Sequence, residues 1–252
     1  ANENYRITEA LEIEYTYDSN RIEGNTLTLH ETDMVVNKGI TIAGKGLREH
    51  LEAINHKEAI DFIKDVAQKK EPISERVLLD IHAIVLHSID KDNAGKYRRV
   101  PVIISGSKHI PPQPYLLQPK MDELFQWYEA NKDSMHPVVL AAQMHEKLVS
   151  VHPFIDGNGR TARLLMNLIL MQHGYPIANI KGDNETRRRY YETLEEASSG
   201  DNSAFVEFIE DVVIQSLTYY LKIIRGFEYQ REVWKNPYLS FLTIRRSRSR
   251  TV

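Results

Sequence analysis

Apolar residues recur every three to four positions along most of this 252-residue chain, the period of a helix with one face turned inward. Leu47, Leu51 and Ile54 share a face, as do Val77, Ile81 and Ile84, and Leu140, Met144 and Leu148. Phe205, Ile209, Val212 and Leu217 extend the pattern into a long late helix. The spacing predicts helices near 5–22, 29–37, 46–69, 75–89, 118–132, 137–150, 160–173, 185–198 and 203–224. Gly174, followed by Pro176, marks one helix stop, and Gly200 marks the next.

One segment breaks the helical period. From Arg99 to Pro112 it reads Val100-Pro101-Val102-Ile103-Ile104, then Ser105-Gly106-Ser107, then Lys108-His109-Ile110-Pro111. β-Branched residues before a small-residue turn, with prolines at both flanks, predict a short β-hairpin at an edge. The expected fold class is therefore all-α with one short β-hairpin.

Composition narrows the setting. Hydrophobic residues make up 42% and charged residues 27%, ordinary for a globular domain. The net charge of −3 gives no reason to expect nonspecific binding to nucleic acid, and nothing points to a membrane. With no cysteine, disulfides and thiolate chemistry are excluded. No apolar run approaches 18 residues, and the start Ala1-Asn2-Glu3-Asn4 lacks the charged and apolar regions of a signal peptide, so a cytoplasmic protein is expected. The locally basic tail 243–250 reads as a solvated end or the stump of a removed domain.

The chemistry is concentrated in residues 152–163, His152-Pro153-Phe154-Ile155-Asp156-Gly157-Asn158-Gly159-Arg160-Thr161-Ala162-Arg163. A base, a carboxylate, two glycines and two arginines fall in one turn before a helix. Glycines let backbone N–H groups approach oxygens, and a helix N-terminus favours anions. Arginines grip phosphate through a rigid fork, and a carboxylate can hold magnesium beside a nucleotide. Together they suit a polyphosphate. The decoy reading, Gly157-x-Gly159-x-x-Ala162 as a dinucleotide fingerprint, needs a preceding strand where a helix is predicted. A P-loop is excluded because no Gly-x-x-x-x-Gly-Lys-(Ser/Thr) occurs.

At all eight specified positions this segment resembles the Fic family signature, His-x-Phe-x-(Asp/Glu)-Gly-Asn-Gly-Arg-x-x-Arg, a coincidence expected by chance in about 10⁻⁸ of such chains. The wider resemblance runs roughly from Ser19 to Asp201. It implies a nucleotidyltransferase that moves AMP from ATP to a hydroxyl of a target protein. By that resemblance His152 is the catalytic base and Asp156 holds Mg²⁺. Gly157, Asn158 and Gly159 form an anion hole through their backbone amides, with the Asn158 side chain reaching the α-phosphate, while Arg160 meets the β-phosphate and Arg163 the γ-phosphate. Tyr190 and Tyr191 resemble the adenosine-side tyrosines, with a packed core position as the alternative reading. The hairpin corresponds to a flap, residues 100–110, that holds the target by strand addition. Phe154 reads as a core plug and His145 as a packing residue. Family members often form dimers, so the resemblance also allows a homodimer.

Ser19-Asn20-Arg21-Ile22-Glu23-Gly24 matches the family's inhibitory pattern (Ser/Thr)-x-x-x-Glu-(Gly/Asn). So short a pattern arises by chance in about one such chain in five, but here it closes an amphipathic helix. Ser19 and Glu23 are therefore the expected inhibitory residues, with Glu23 pairing Arg163 in place of the γ-phosphate. The domain layout implied is an N-terminal region with the inhibitory helix at 1–40, a Fic core at 41–225 and an extension at 226–252. Two alternatives stay open: an enzyme that removes AMP, and a noncatalytic nucleotide-sensing module.

Overall fold

The computed structural model describes residues 2–235, and side chains from 6 to 226. The basic tail at 243–250 lies outside the described residues. Among the described residues nine α-helices run in order: α1 Asn2–Ile22, α2 Leu29–Lys38, α3 Leu47–Lys69, α4 Glu75–Leu86, α5 Leu117–Asn131, α6 Pro137–Val151, α7 Asn158–Gln172, α8 Asn184–Ser198 and α9 Ser203–Lys235. Helix α7 is the axis of the fold, packed against α3, α4 and α6, and Leu164 to Leu170 along it are all buried. A helix apolar on every side belongs at the centre of its domain. No described helix is long and apolar enough to cross a membrane.

Local chemistry sets the ends. Thr28 and Glu31 form a capping box at α2, with Thr28 Oγ1 accepting from Glu31 N at 3.2 Å and Glu31 Oε2 from Thr28 N at 2.7 Å. Pro137 opens α6, and Asp183 caps α8 by accepting from the N–H groups of Glu185 and Thr186. Gly174, at φ 82°, turns the chain out of α7 and Gly200 out of α8, the stops the sequence predicted.

Two expectations need correction. Leu47, Leu51 and Ile54 are not the buried face of α3; Leu47 is largely exposed, and the inner face carries Ala53, Asn55, His56, Ala59, Ile60 and Ile63. Polar groups on that face conceal the pattern, and one of them is satisfied by Asn55 Nδ2 donating to Val85 O at 3.1 Å. No strand occurs among the described residues, so the β-hairpin at 100–110 is absent as a ladder. The segment does turn at Ser105 and Gly106, with Ser107 N donating to Ile104 O. Its two arms are held by the body instead of by each other. Arg98 donates to the carbonyls of Val100 and Pro112, and Glu195 accepts from Ser107 Oγ and Lys108 N. His109 Nε2 bonds Ser150 O at 2.7 Å.

The end of α1 belongs to the main core. Tyr15 and Ile22 are buried in the same cluster as Leu148 and Leu165, whereas Leu27, Val35 and Ala53 form a small separate cluster around α2.

Candidate functional site

The loop between α6 and α7 is built on buried anchors. Phe154 is fully buried and stacks on His82, with ring centroids 3.6 Å apart. Asn158 closes the loop with both ends of its amide, donating from Nδ2 to Phe154 O at 2.9 Å and accepting from Phe154 N at 3.0 Å. Its side chain is therefore committed to the loop, and only its backbone N–H is left for a ligand. His82 spans loop and scaffold. Its Nδ1 accepts from Gly95 N, which places the proton on Nε2, and Nε2 donates to Asp156 O at 2.9 Å. Burial lowers the His82 pKa to about 4, so the ring stays neutral and this pattern persists.

His152 terminates α6 in the left-handed region, φ 49°, unusual for a residue with a side chain. Its carbonyl accepts from Arg98 Nε at 2.9 Å, while Arg98 N donates to Pro153 O. Arg98 thus holds the turn that aims the imidazole. Burial lowers the His152 pKa, with Arg98 adding to the effect and Glu23 opposing it. A neutral imidazole results, free to take a proton.

Beyond the loop, α7 begins with three N–H groups that have no partner within the helix. Two arginines on its first two turns are buried, Arg160 at 2% exposure and Arg163 at 1%. Arg163 Nη2 donates to Glu23 Oε1 at 2.6 Å and to Ser19 O at 2.9 Å, and its Nε donates to Ser19 Oγ at 3.0 Å. Burial opposes the charge on Arg163, but Glu23, Tyr190 and Tyr15 outweigh it and raise its pKa. Gly159 lies beneath the same carboxylate, and a Cβ there would collide with Glu23 Oε1. An internal anion thus rests over the glycine turn, between helix N-terminus and arginine. Arg160 is less fully used: its Nε and Nη1 are buried without a hydrogen-bond partner.

Asp156 faces two arginines, Arg48 and, at 3.2 Å from Oδ1, Arg160. Burial alone would raise its pKa, but Arg160, the Gly157 N–H and Arg48 hold it low, so the carboxylate is ionised.

Residues 72–170 match the Fic/DOC family. A Fic domain containing signaling protein from Bacteroides thetaiotaomicron superposes with a TM-score of 0.80 at 30% identity, covering 90% of this chain and 91% of that one. The chain belongs to the Fic/DOC family. Fic-1 of C. elegans (its residues 134–508) is 34% identical with a TM-score of 0.78, covering 85% of this chain and 63% of that one. The protein adenylyltransferase Fic of Nematostella vectensis is 39% identical over 210 residues, 82% of this chain and 48% of that one. The chain thus spans about half the length of that relative.

Against the sequence expectations for this Fic site, the fold brings together His152, Asp156, Gly157, Gly159, Arg160, Arg163, Ser19 and Glu23. Tyr190 takes the packed core position that the sequence left open as the alternative. It is buried among His145, Phe205 and Phe208, and its hydroxyl meets Arg163 Nη1 at 3.3 Å and His145 Nε2 at 3.0 Å. Successive helical residues point about 100° apart, so Tyr190 turns into the core while Tyr191 stays at the surface, their ring centroids 5.2 Å apart. Tyr191 remains 42% exposed, with its hydroxyl donating to Ile22 O at the end of α1. Four site residues went unread in the sequence: Arg48, His82, Arg98 and Glu52, whose Oε1 lies 3.4 Å from Arg160 Nη1. Only His82 left a signal, a polar residue on the buried face of α4 between Leu78 and Val85.

Proposed function

We propose that this protein is an adenylyltransferase that moves AMP from ATP to a hydroxyl side chain of a target protein, restrained by Glu23. One observation carries the reading: the Glu23 carboxylate lies over Gly159 and on Arg163, where a phosphate would sit. An anion cradle already filled by the chain's own anion is a cradle with a competitor. The names of the Nematostella, Culex and Drosophila relatives, all protein adenylyltransferases, support the activity.

In this reading the first-turn N–H groups of α7 receive the α-phosphate oxygens, and Arg160 takes the β-phosphate through Nε and Nη1, which make no hydrogen bond here although Nη1 lies 3.4 Å from Glu52 Oε1. Arg163 takes the γ-phosphate once Glu23 withdraws. Neutral His152 accepts the proton of the target hydroxyl as its oxygen bonds to the α-phosphorus, and pyrophosphate leaves along the arginines. Tyr191, the exposed tyrosine, is the adenosine-side candidate. Asp156 fits magnesium, since an ionised carboxylate that already collects two guanidiniums is a cation ligand. No group of three or more metal-binding side chains occurs among the described residues, so phosphates and water would complete the shell. The ion would neutralise phosphate charge. The turn at 100–110 presents Ile103 and Ile110 to solvent, and its extended backbone is the surface offered to a target. A cytoplasmic site of action, a homodimer and the layout 1–40, 41–225 and 226–252 complete the proposal.

The test is AMP transfer from labelled ATP with magnesium in cell lysate, read by mass spectrometry. Glu23→Gly should raise transfer about 10- to 100-fold, the worth of one charge-assisted hydrogen bond. His152→Ala in that background should remove it by about 10²- to 10⁴-fold. Equal transfer by parent and Glu23→Gly chains would reject the restraint. Release of AMP from a modified target, dependent on Glu23, would instead assign the reverse reaction.

A further inference from the structure

Four charged side chains close a ring beside the glycine turn. Arg48 on α3 pairs through Nη2 with Asp156 and through Nε, at 3.1 Å, with Glu52. Glu52 Oε1 lies 3.4 Å from Arg160 Nη1, and Arg160 Nη2 lies 3.2 Å from Asp156 Oδ1. The charges alternate and sum to zero. Glu52 is fixed from the inhibitory segment, because its Oε2 accepts from Asn25 Nδ2 at 2.9 Å and its carbonyl accepts from Asn20 Nδ2 at 3.3 Å.

Burial within the ring is uneven. The side chains of Arg160 and Glu52 are 3% and 12% exposed, whereas Arg48 is 59% exposed. Arg48 is the one member that can leave its partners for water at little cost. It sits on the carboxylate that the proposed chemistry needs for a divalent cation.

We propose that Arg48 is a resident counter-ion of Asp156, a guanidinium that holds the cation's place and must be displaced when metal and nucleotide enter. Resting on the adenylyltransferase reading, this makes Arg48 a positioning residue for the metal-holding carboxylate, while Glu52 keeps both guanidiniums in register. A single protein carboxylate already satisfied by an arginine is a poor ligand for free magnesium. The magnesium-nucleotide complex competes better, because its phosphates draw Arg160 from Asp156 while the metal replaces Arg48, so that both contacts of Asp156 are exchanged at once. The site accordingly takes metal and nucleotide together.

The experiment uses the Glu23→Gly chain with a non-hydrolysable ATP analogue, following melting temperature as magnesium is titrated. Adding Arg48→Ala should lower the half-saturating magnesium concentration about 2- to 5-fold, the worth of an exposed ion pair. Arg48→Lys, which keeps the positive charge, should behave as Arg48. The melting temperature without ligand should stay within a few degrees, which separates competition for Asp156 from a general structural role. A midpoint unmoved or raised by Arg48→Ala would overturn the proposal while leaving the adenylyltransferase reading intact. No stabilisation of the Glu23→Gly chain by analogue and magnesium at any concentration would overturn both.

Discussion

The α6–α7 scaffold and the end of α1 meet at Arg163, yet they are held by different physics. The scaffold is held by apolar burial: Leu140, Met144 and Leu148 on α6 and Leu164, Leu165 and Leu168 on α7 are fully buried. The end of α1 adds a polar clasp to its buried apolar residues, Tyr15 and Ile22. Asp18 accepts from Gly182 N at 2.9 Å, Asn179 Nδ2 at 2.7 Å and Lys181 Nζ at 3.2 Å, while Ser19 and Glu23 hold Arg163. Apolar packing has no substitute partner and stays closed. A hydrogen-bonded clasp can be exchanged for a ligand that offers the same groups. In the proposed reading the apolar-packed half carries the chemistry, and the exchangeable half carries the restraint.

Four measurements would break or sharpen this contrast. Leu165→Ala should cost about 3–5 kcal/mol in chemical denaturation, through the cavity it opens at the centre of α7. A loss below about 1 kcal/mol would mean the scaffold is not apolar-held. Acidification comes next. The pKa values of His82 and His145 are lowered by burial from 6.5 to about 4 and about 3, so both rings are neutral in the fold and protonate on unfolding. The unfolded chain therefore binds more protons between pH 6.5 and about 4. Stability should fall through that window by about 1.4 kcal/mol per pH unit for each histidine, and this contribution should be constant above it. A flat stability profile down to pH 5 would contradict the neutral, buried assignment of both.

Smaller effects belong to the clasp. Asp18→Ala should cost about 1–3 kcal/mol, since it leaves the Gly182 N–H and the Asn179 amide unpaired. Unlike Leu165→Ala, it should raise AMP transfer, because it loosens α1 without touching the α7 scaffold. Stability lost with no rise in transfer would place Asp18 in the architecture alone. Ser19→Ala removes one acceptor from Arg163 and should cost about 1 kcal/mol, with a rise in transfer smaller than that of Glu23→Gly. A larger rise would make Ser19, and not Glu23, the principal restraint.

Legibility followed the same division. The helices were readable because apolar periodicity and the glycine stops are local, and the loop was readable because its residues are contiguous. Glu23 could be named from a short pattern, but its position over Gly159 needed α1 packed against α7, 140 residues away in sequence. The turn at 100–110 was misread as a hairpin because β-branched residues and prolines describe an extended chain without saying what it pairs with. Its partners are Arg98, Glu195 and Ser150, contributed by other parts of the chain.

By itself, then, the order of residues determined the helical architecture and the contiguous run from His152 to Arg163 on which the proposed base, carboxylate and two arginines stand. Those properties depend on neighbours within one or two helical turns. Only the tertiary structure decided which tyrosine faces outward, that the Asn158 side chain is spent on the loop, and that Arg48 and Glu52 stand beside Asp156 and Arg160. Charge pairing acts through space and leaves no period in the sequence, so such contacts appear only once α1, α3 and α7 are packed together.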